Sequence, residues 1–211
     1  MSRIVLFLLI HCLAYSQWEP KPGDILFQRL SSSFGSAVEG TTGSLWSHVG
    51  ILKKEEGKWL VVEAIPPRVR KTPLDLYLKR CKNRYAVSRL IQWEKNELQT
   101  MIERAESHLG KPYDGVFVLD DTLEIYCSEL VYDAINHVRG KGSLKGKPMD
   151  FSGALEYWKK YFERKNRPIP QGKPGISPEA VYLYKQSQVV YHYKKEQGIS
   201  KRVEVFELLY Q

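Results

Sequence analysis

The chain has 211 residues, a formal net charge of +8, 43% hydrophobic residues and 12% aromatic residues. This composition excludes general disorder, and the length is sufficient for one domain with a sizeable core. The positive charge suits anionic partners such as cell-wall polymer or lipid headgroups. The lysines and arginines are scattered along the sequence, which argues against nucleic acid as a partner.

The first residues are typical of a secretory signal peptide. Arg3 precedes an apolar run over residues 4–10, and Ala14-Tyr15-Ser16 forms a small-x-small cleavage site. The run is too short to span a bilayer. A lipoprotein reading through Cys12 is weaker, because histidine is a poor residue before a lipidated cysteine. We therefore expect a signal peptide at 1–16, export to the periplasm or the cell exterior, and a single domain over 17–211.

The elements that follow alternate between short strands and amphipathic helices. Residues 31–44 are rich in Ser, Gly and Thr and are predicted to be a loop, placed to line or cover a site. Strands are predicted at 24–28, 47–53, 58–64, 69–71, 85–91, 189–191 and 203–206. Helical segments are predicted at 74–79, 97–109, 127–138, 151–162 and from Ser177 onward. The pattern indicates an α+β domain with a mainly antiparallel sheet and helices packed on it.

Cys127 begins the most informative of these helices. Apolar residues recur from it at helical spacing, so the cysteine lies in phase with the buried stripe at its N-terminal end. Near the positive end of the helix dipole, the thiolate form is favoured and free backbone N–H groups are available for an oxyanion. The alternatives are a buried structural cysteine, or a disulfide with Cys81 in an oxidising compartment.

A hairpin brings a candidate base and its partner together. Residues 54–57 are predicted as a four-residue loop, which places Lys53 opposite Lys58 and His48 opposite Glu63. Glu63 is surrounded by apolar residues, where a carboxylate needs a partner. His48 held by Glu63 could then serve Cys127 as a base, which gives a Cys-His-Glu triad.

Other interpretations of these residues stay open at this point. His48 could be a half-buried strand histidine, and Glu63 could pair with Arg68 or Arg70 instead. A metal held by Cys127, His48 and Glu63 is chemically feasible, but no ligand spacing typical of a metal site is present. We therefore expect neither a metal nor another cofactor.

Five short motifs follow one another in a fixed order: Gly23-Asp24-Ile25-Leu26-Phe27, Trp46-Ser47-His48-Val49-Gly50-Ile51, Val62-Glu63-Ala64, Tyr113-Asp114 and Tyr126-Cys127-Ser128-Glu129-Leu130-Val131. Together they resemble the YiiX/YebB-like proteins, circularly permuted members of the NlpC-type papain-like superfamily. The resemblance runs from about Gly23 to Ala134. It implies a papain-like core in which the histidine precedes the cysteine.

Carried over to this sequence, the resemblance implies Cys127 as the nucleophile, His48 as the base and Glu63 as the polar third member. Tyr113 and Ser47 are the candidate substrate-binding residues. The family is regarded as amidases or peptidases, and its wider superfamily also includes lipid acyltransferases and phospholipases.

Three hypotheses result from the sequence. The first is an exported cysteine hydrolase that cleaves an amide bond, in a peptidoglycan stem peptide or a related compound. The second keeps the triad but acts on a lipid acyl group, as a hydrolase or acyltransferase. The third is a non-catalytic binding module with the same fold.

Overall fold

A computed structural model describes residues 18–196 and 199–202. The predicted signal peptide at 1–16 and the predicted strand at 203–206 lie outside the described residues. Within them, the structure is an α+β fold built on a twisted antiparallel sheet, as the sequence predicts. No helix in this part of the chain combines the length and the hydropathy needed to cross a membrane.

The main sheet has seven strands in the order β4-β3-β2-β1-β5-β8-β9. All neighbouring strands in it are antiparallel. A separate two-stranded ribbon pairs β6 with β7. The strands are β1 Ile25–Leu30, β2 His48–Glu55, β3 Lys58–Ile65, β4 Arg68–Pro73, β5 Cys81–Leu90, β6 Lys147–Pro148, β7 Pro174–Gly175, β8 Ser187–Glu196 and β9 Ile199–Arg202.

The β2–β3 hairpin is tighter than the sequence suggested. Glu55 pairs with Lys58, so the turn consists of Glu56 and Gly57 alone, both with positive φ (48° and 77°). Such a turn matches the natural twist of the two strands. The predicted four-residue loop and the direct His48–Glu63 pairing were therefore wrong. The observed register is shifted by two residues from the predicted one. Because side chains alternate between faces with a period of two, each still lies on its predicted face.

The helices are α1 Ser33–Thr42, α2 Leu74–Lys79, α3 Lys95–Glu106, α4 Cys127–Arg139, α5 Leu155–Arg164 and α6 Pro178–Tyr182, with a 3₁₀ turn at Ser152–Ala154. The first corrects the prediction of a loop over 31–44. The Ser32 side chain accepts a hydrogen bond from the Gly35 N–H, and Gly43 ends the helix in the left-handed region (φ 63°). The small polar residues are therefore caps and packing positions of a helix.

The main core lies between one face of the sheet and helices α3 and α4. The predicted stripe of α4 is buried completely at Leu130, Val131, Ala134 and Ile135. On α3, Met101 and Ala105 are also inaccessible to solvent. Because α4 is fixed along its whole apolar face, its first residue, Cys127, is held in a defined position. A second aromatic cluster joins α1 to α5 beside this end of α4.

Candidate active site

Cys127 is the first residue of α4 and is almost completely buried, with 6% of its surface exposed. The segment between β7 and α6 is attached to this end of the helix by two hydrogen bonds. The Ile176 N–H donates to the Tyr126 hydroxyl at 3.0 Å, and Ser128 Oγ donates to the Ile176 carbonyl at 2.7 Å. The first N–H groups of a helix have no intrahelical partner, so the site offers donors beside the sulfur.

The disulfide considered as an alternative for Cys127 is not formed in the structure. Cys81 and Cys127 are both free thiols. Cys81 instead donates to the Arg84 carbonyl at 2.8 Å and accepts from the Arg84 N–H at 3.1 Å. Burial raises the pKa of Cys81, although nearby backbone groups counteract the effect. Cys81 is thus the less nucleophilic type of thiol, because its thiolate is disfavoured.

His48 and Glu63 are in direct contact within the sheet. His48 Nε2 donates to Glu63 Oε2 at 2.6 Å, and the two side chains are 3% and 0% exposed. The contact is diagonal across the hairpin, because His48 reaches past Gly50. A Cβ at Gly50 would lie 2.5 Å from Val61 Cγ1 and 3.3 Å from the Glu63 Cβ. The glycine therefore allows β2 and β3 to approach closely beside Glu63.

Two further donors hold Glu63, and the sequence analysis missed both. Thr72 Oγ1 donates to Oε1 at 2.6 Å, and Arg80 Nη2 lies 2.7 and 2.6 Å from the two carboxylate oxygens. Of the proposed alternative partners, Arg70 is 3.8 Å away, whereas Arg68 lies opposite Ile65. Arg80 follows α2, and no local sequence pattern links that turn to β3.

The electrostatics of the pair favour a protonated histidine. Burial lowers the pKa of His48, but hydrogen bonds to Cys127 and Glu63 and their negative charge outweigh this and raise it to about 9. Burial raises the pKa of Glu63, but His48 and Arg80 together lower it to about 2. Because Nε2 is bonded to Glu63, the nitrogen available to Cys127 is Nδ1. His48 thus lies between the thiol and the carboxylate.

Cys127 opens into a cavity of about 300 Å³ whose lining is mainly apolar and aromatic. Its apolar wall comes from α1, the loop before α4 and the segment around α5. The main members are Phe34, Val38, Phe117, Met149, Phe151 and Trp158. The Trp158 Nε1–H donates to Thr41 Oγ1, which joins α5 to α1 across the cavity. The stretch predicted as a loop therefore does line the site, but as a helix.

The two candidate substrate-binding residues both line this cavity. Tyr113 is partly buried, and burial together with the nearby Cys127 raises its pKa well above the usual value. Ser47 is buried, and its Oγ accepts from the Leu30 N–H at 2.8 Å and donates to Glu39 Oε1 at 3.2 Å. Ser47 thus ties α1 to β1 and has little hydrogen-bonding capacity left for a ligand.

Asp114 shapes the cavity wall, a role that the sequence analysis did not assign. Its buried carboxylate accepts the N–H groups of Val116, Phe117 and Val118 at 2.6, 2.9 and 2.6 Å. The bonds hold Phe117 at a positive φ of 61°, and its ring packs at 5.6 Å from that of Tyr126. Asp114 therefore holds the aromatic wall of the cavity in place beside Cys127.

Comparison with known proteins gives the family to which this fold belongs. Residues 19–191 match the permuted papain-like amidase enzymes of the YaeF/YiiX family, C92. The chain is 33% identical over 184 residues to the uncharacterized protein YiiX of Escherichia coli (strain K12), covering 85% of this chain and 89% of that protein. This chain belongs to the permuted papain-like amidase family.

A solved structure supports the same assignment. The crystal structure of yiiX from Escherichia coli O157:H7, described as a metalloprotein, superposes with a TM-score of 0.74 at 30% identity. The match covers 84% of this chain and 99% of that one. The predicted resemblance and fold class are confirmed, and membership of an amidase family supports a hydrolase in general terms.

Proposed function

We propose that this protein is a cysteine amidase in which Cys127 is the nucleophile, His48 the acid–base and Glu63 the orienting group. The observation that carries the proposal is the position of His48 between a buried carboxylate and a thiol at a helix N-terminus. An imidazolium beside the sulfur stabilises the thiolate, which is the reactive form.

The reaction follows from these positions. The thiolate sulfur attacks the amide carbonyl carbon, and the carbonyl electron pair moves onto oxygen, where N–H groups at the start of α4 stabilise it. His48 Nδ1–H gives its proton to the leaving nitrogen, the C–N bond breaks and a thioester remains on Cys127. His48 then takes a proton from water, the hydroxide attacks the thioester, and the carboxylic acid leaves as Cys127 is regenerated.

The cavity narrows the choice of substrate. Its aromatic and aliphatic lining suits an apolar group next to the scissile carbonyl better than the polar side chains of a peptidoglycan stem peptide. We therefore favour an amide whose acyl part is apolar. The same lining favours the second candidate, an acyl ester or thioester cleaved or transferred by the same three residues.

Metal-dependent chemistry has no place in this proposal. The yiiX protein is described as a metalloprotein, so we tested whether the residues here fit a metal. Within residues 18–196 and 199–202, no group of three His, Cys, Asp or Glu side chains is arranged to hold an ion. His48 Nε2 donates to Glu63, and both oxygens of Glu63 accept from protein donors. We derive no step through a metal.

The proposed setting is the cell envelope. The apolar N-terminal run with its cleavage site supports export, and the net charge of +8 supports contact with anionic envelope components. Removal of residues 1–16 tests the proposed export. The full chain should be exported, whereas the truncated protein should stay in the cytoplasm.

The test of function compares wild-type protein and three variants on two substrates. Wild-type protein should release the chromophore from an acyl p-nitroanilide, and Cys127→Ala and His48→Ala should abolish that activity. Cys81→Ala is the matched control, because Cys81 is also a free thiol but does not line the cavity beside Cys127. Release of fatty acid from phospholipid vesicles alone would select the acyl-lipid candidate. Cleavage retained in Cys127→Ala would refute both.

The binding-module hypothesis is tested by alkylation. Iodoacetamide should modify Cys127 faster than Cys81 at neutral pH, and His48→Ala should remove the difference. An inert Cys127 in the folded wild-type protein would favour a non-catalytic module.

A further inference from the structure

A second hollow lies behind the His48–Glu63 pair and is lined by cations. It measures about 510 Å³ and is open to solvent, and its polar lining consists of Lys79, Arg80, Lys82, Ser31 and Ser32. Among the residues described, no carboxylate lines it. Three positive charges and two hydroxyl groups around one open space form the surroundings that phosphate and carboxylate groups bind.

The charges in this hollow are only partly neutralised within the protein. Arg80 is paired with Glu63. Lys79 meets Asp75 at 3.5 Å, but both of these side chains are about 70% exposed, so this pair contributes little. Lys82 has no ion-pair partner in the part of the chain that the structure describes. The hollow therefore keeps an excess of positive charge that a bound anion would offset.

The hydrogen-bond donors of the hollow form two groups, one buried and one exposed. Arg80 Nε and Nη1 lack partners among the described residues, but both are shielded from solvent. Arg80 therefore contributes mainly its charge. The exposed ammonium groups of Lys79 and Lys82 and the hydroxyls of Ser31 and Ser32 supply the direct contacts.

The hollow and the apolar cavity flank the same reacting group. Leu30, Ser31 and Ser32 line the hollow, whereas Phe34 lines the cavity, so one short turn of chain separates them. Leu30 is bonded through its N–H to Ser47, which lines the cavity. Glu63 connects the reacting group to the hollow, because its carboxylate is bonded to both His48 and Arg80.

We propose that the hollow formed by Ser31, Ser32, Lys79, Arg80 and Lys82 is a binding site for a phosphate or carboxylate group. One source of this anion is a charged end of the substrate, and the other is a free anion from the surroundings. The assignment to the substrate rests on the proposed function, whereas the anion site itself does not.

Binding measured on the Cys127→Ala protein tests the site without turnover. The probes are inorganic phosphate, N-octanoylglycine and its neutral analogue N-octanoylglycinamide, titrated by calorimetry at low salt. Lys79→Gln/Lys82→Gln should weaken phosphate binding by about tenfold or more, because two charge-assisted contacts are lost. The matched control is Lys58→Gln/Lys95→Gln, two exposed lysines that line neither space, and it should bind as before.

The two organic probes distinguish the sources of the anion. If the acid binds at least tenfold more tightly than the amide, and only in the presence of Lys79 and Lys82, the anion belongs to the substrate. If phosphate binding depends on the lysines but the acid and amide bind equally, the site takes a free anion. Phosphate and carboxylate binding that is unaffected by the double variant overturns the proposal. An inactive wild-type enzyme that still shows lysine-dependent binding would refute the proposed function alone.

Discussion

Glu63 shows how a buried carboxylate stays ionised. It is fully buried, yet it accepts from His48, Thr72 and Arg80 within 2.7 Å. Burial raises the pKa of Glu63, but His48 and Arg80 outweigh this effect and lower it to about 2. The carboxylate can therefore stabilise an imidazolium at His48. Arg80 weakens this stabilisation because it is paired with the same carboxylate.

The alkaline limit of activity should follow His48. Its pKa is raised to about 9, so the imidazolium and its stabilising contacts persist at neutral pH and are lost as the pH rises through that value. We expect kcat/KM to fall above about pH 9. Glu63→Gln keeps an acceptor but removes the charge, so it should move this limit to lower pH and reduce kcat/KM by about 10²-fold or more.

The measurement is the dependence of kcat/KM on pH between pH 6 and 10 for wild type and Glu63→Gln. Circular dichroism verifies that both proteins are folded. Identical alkaline limits in wild type and Glu63→Gln would show that the carboxylate does not act through His48.

Arg80 should have the opposite effect on the same profile. Arg80→Gln removes a positive charge whose Nη2 is 2.6 Å from Glu63 Oε2, so more of the carboxylate charge acts on His48. The alkaline limit should move to higher pH. The same profile on Arg164→Gln, at the end of α5, serves as a charge-matched control and should not shift. A downward shift in Arg80→Gln would contradict this account.

At the scale of elements, the β2–β3 hairpin and α4 assemble the site together. The hairpin supplies His48 and Glu63 from adjacent strands, and α4 presents Cys127 at its end. The tight turn at Glu56-Gly57 sets the register, and Gly50 allows the two strands to approach closely. A side chain at Gly50 would meet the neighbouring strand, including the Val62 carbonyl at 3.0 Å.

Gly50→Ala should therefore reduce both stability and activity. Overpacking of this kind costs about 1–3 kcal/mol of unfolding free energy. Urea unfolding gives the stability, and the p-nitroanilide assay gives kcat. Lys58→Ala, at an exposed position of the same hairpin, is the control and should change stability by less than about 0.5 kcal/mol. An unchanged unfolding free energy in Gly50→Ala would contradict this account, because it would show that β2 and β3 accommodate the added methyl group without strain.

At the scale of the whole molecule, buried ionisable groups link stability to pH. His192, on β8, is 2% exposed and packs against Trp46 at 5.5 Å between ring centroids. Neither ring nitrogen has a hydrogen-bond partner among the described residues. Burial and the charges of Arg84 and Lys194 lower the pKa of His192 to about 4. The unfolded chain therefore binds this proton more readily than the folded protein does.

The consequence is a loss of stability in acid between about pH 6.5 and pH 4, since protonation favours the unfolded state in that range. His192→Phe should have a smaller decrease in unfolding free energy over this window than wild type. His137→Phe, at an exposed position of α4, should retain the wild-type slope. Unfolding in urea at pH 7, 6, 5 and 4 gives the slopes, and equal slopes in wild type and His192→Phe would refute the assignment.

The sequence by itself determined the stripe that buries α4, the position of Cys127 at its start and the shared face of His48 and Glu63. These follow from helical and strand periodicity, which act over short distances. Only the tertiary structure decided the exact hairpin register, the helix at Ser33–Thr42, the pairing of Arg80 with Glu63 and the free state of both thiols. The last two depend on contacts between segments far apart in the chain, and the helix at Ser33–Thr42 also packs against α5. The register depends on which of several allowed turns joins β2 to β3. Local propensity is weak enough there that packing and charge pairing outweigh it.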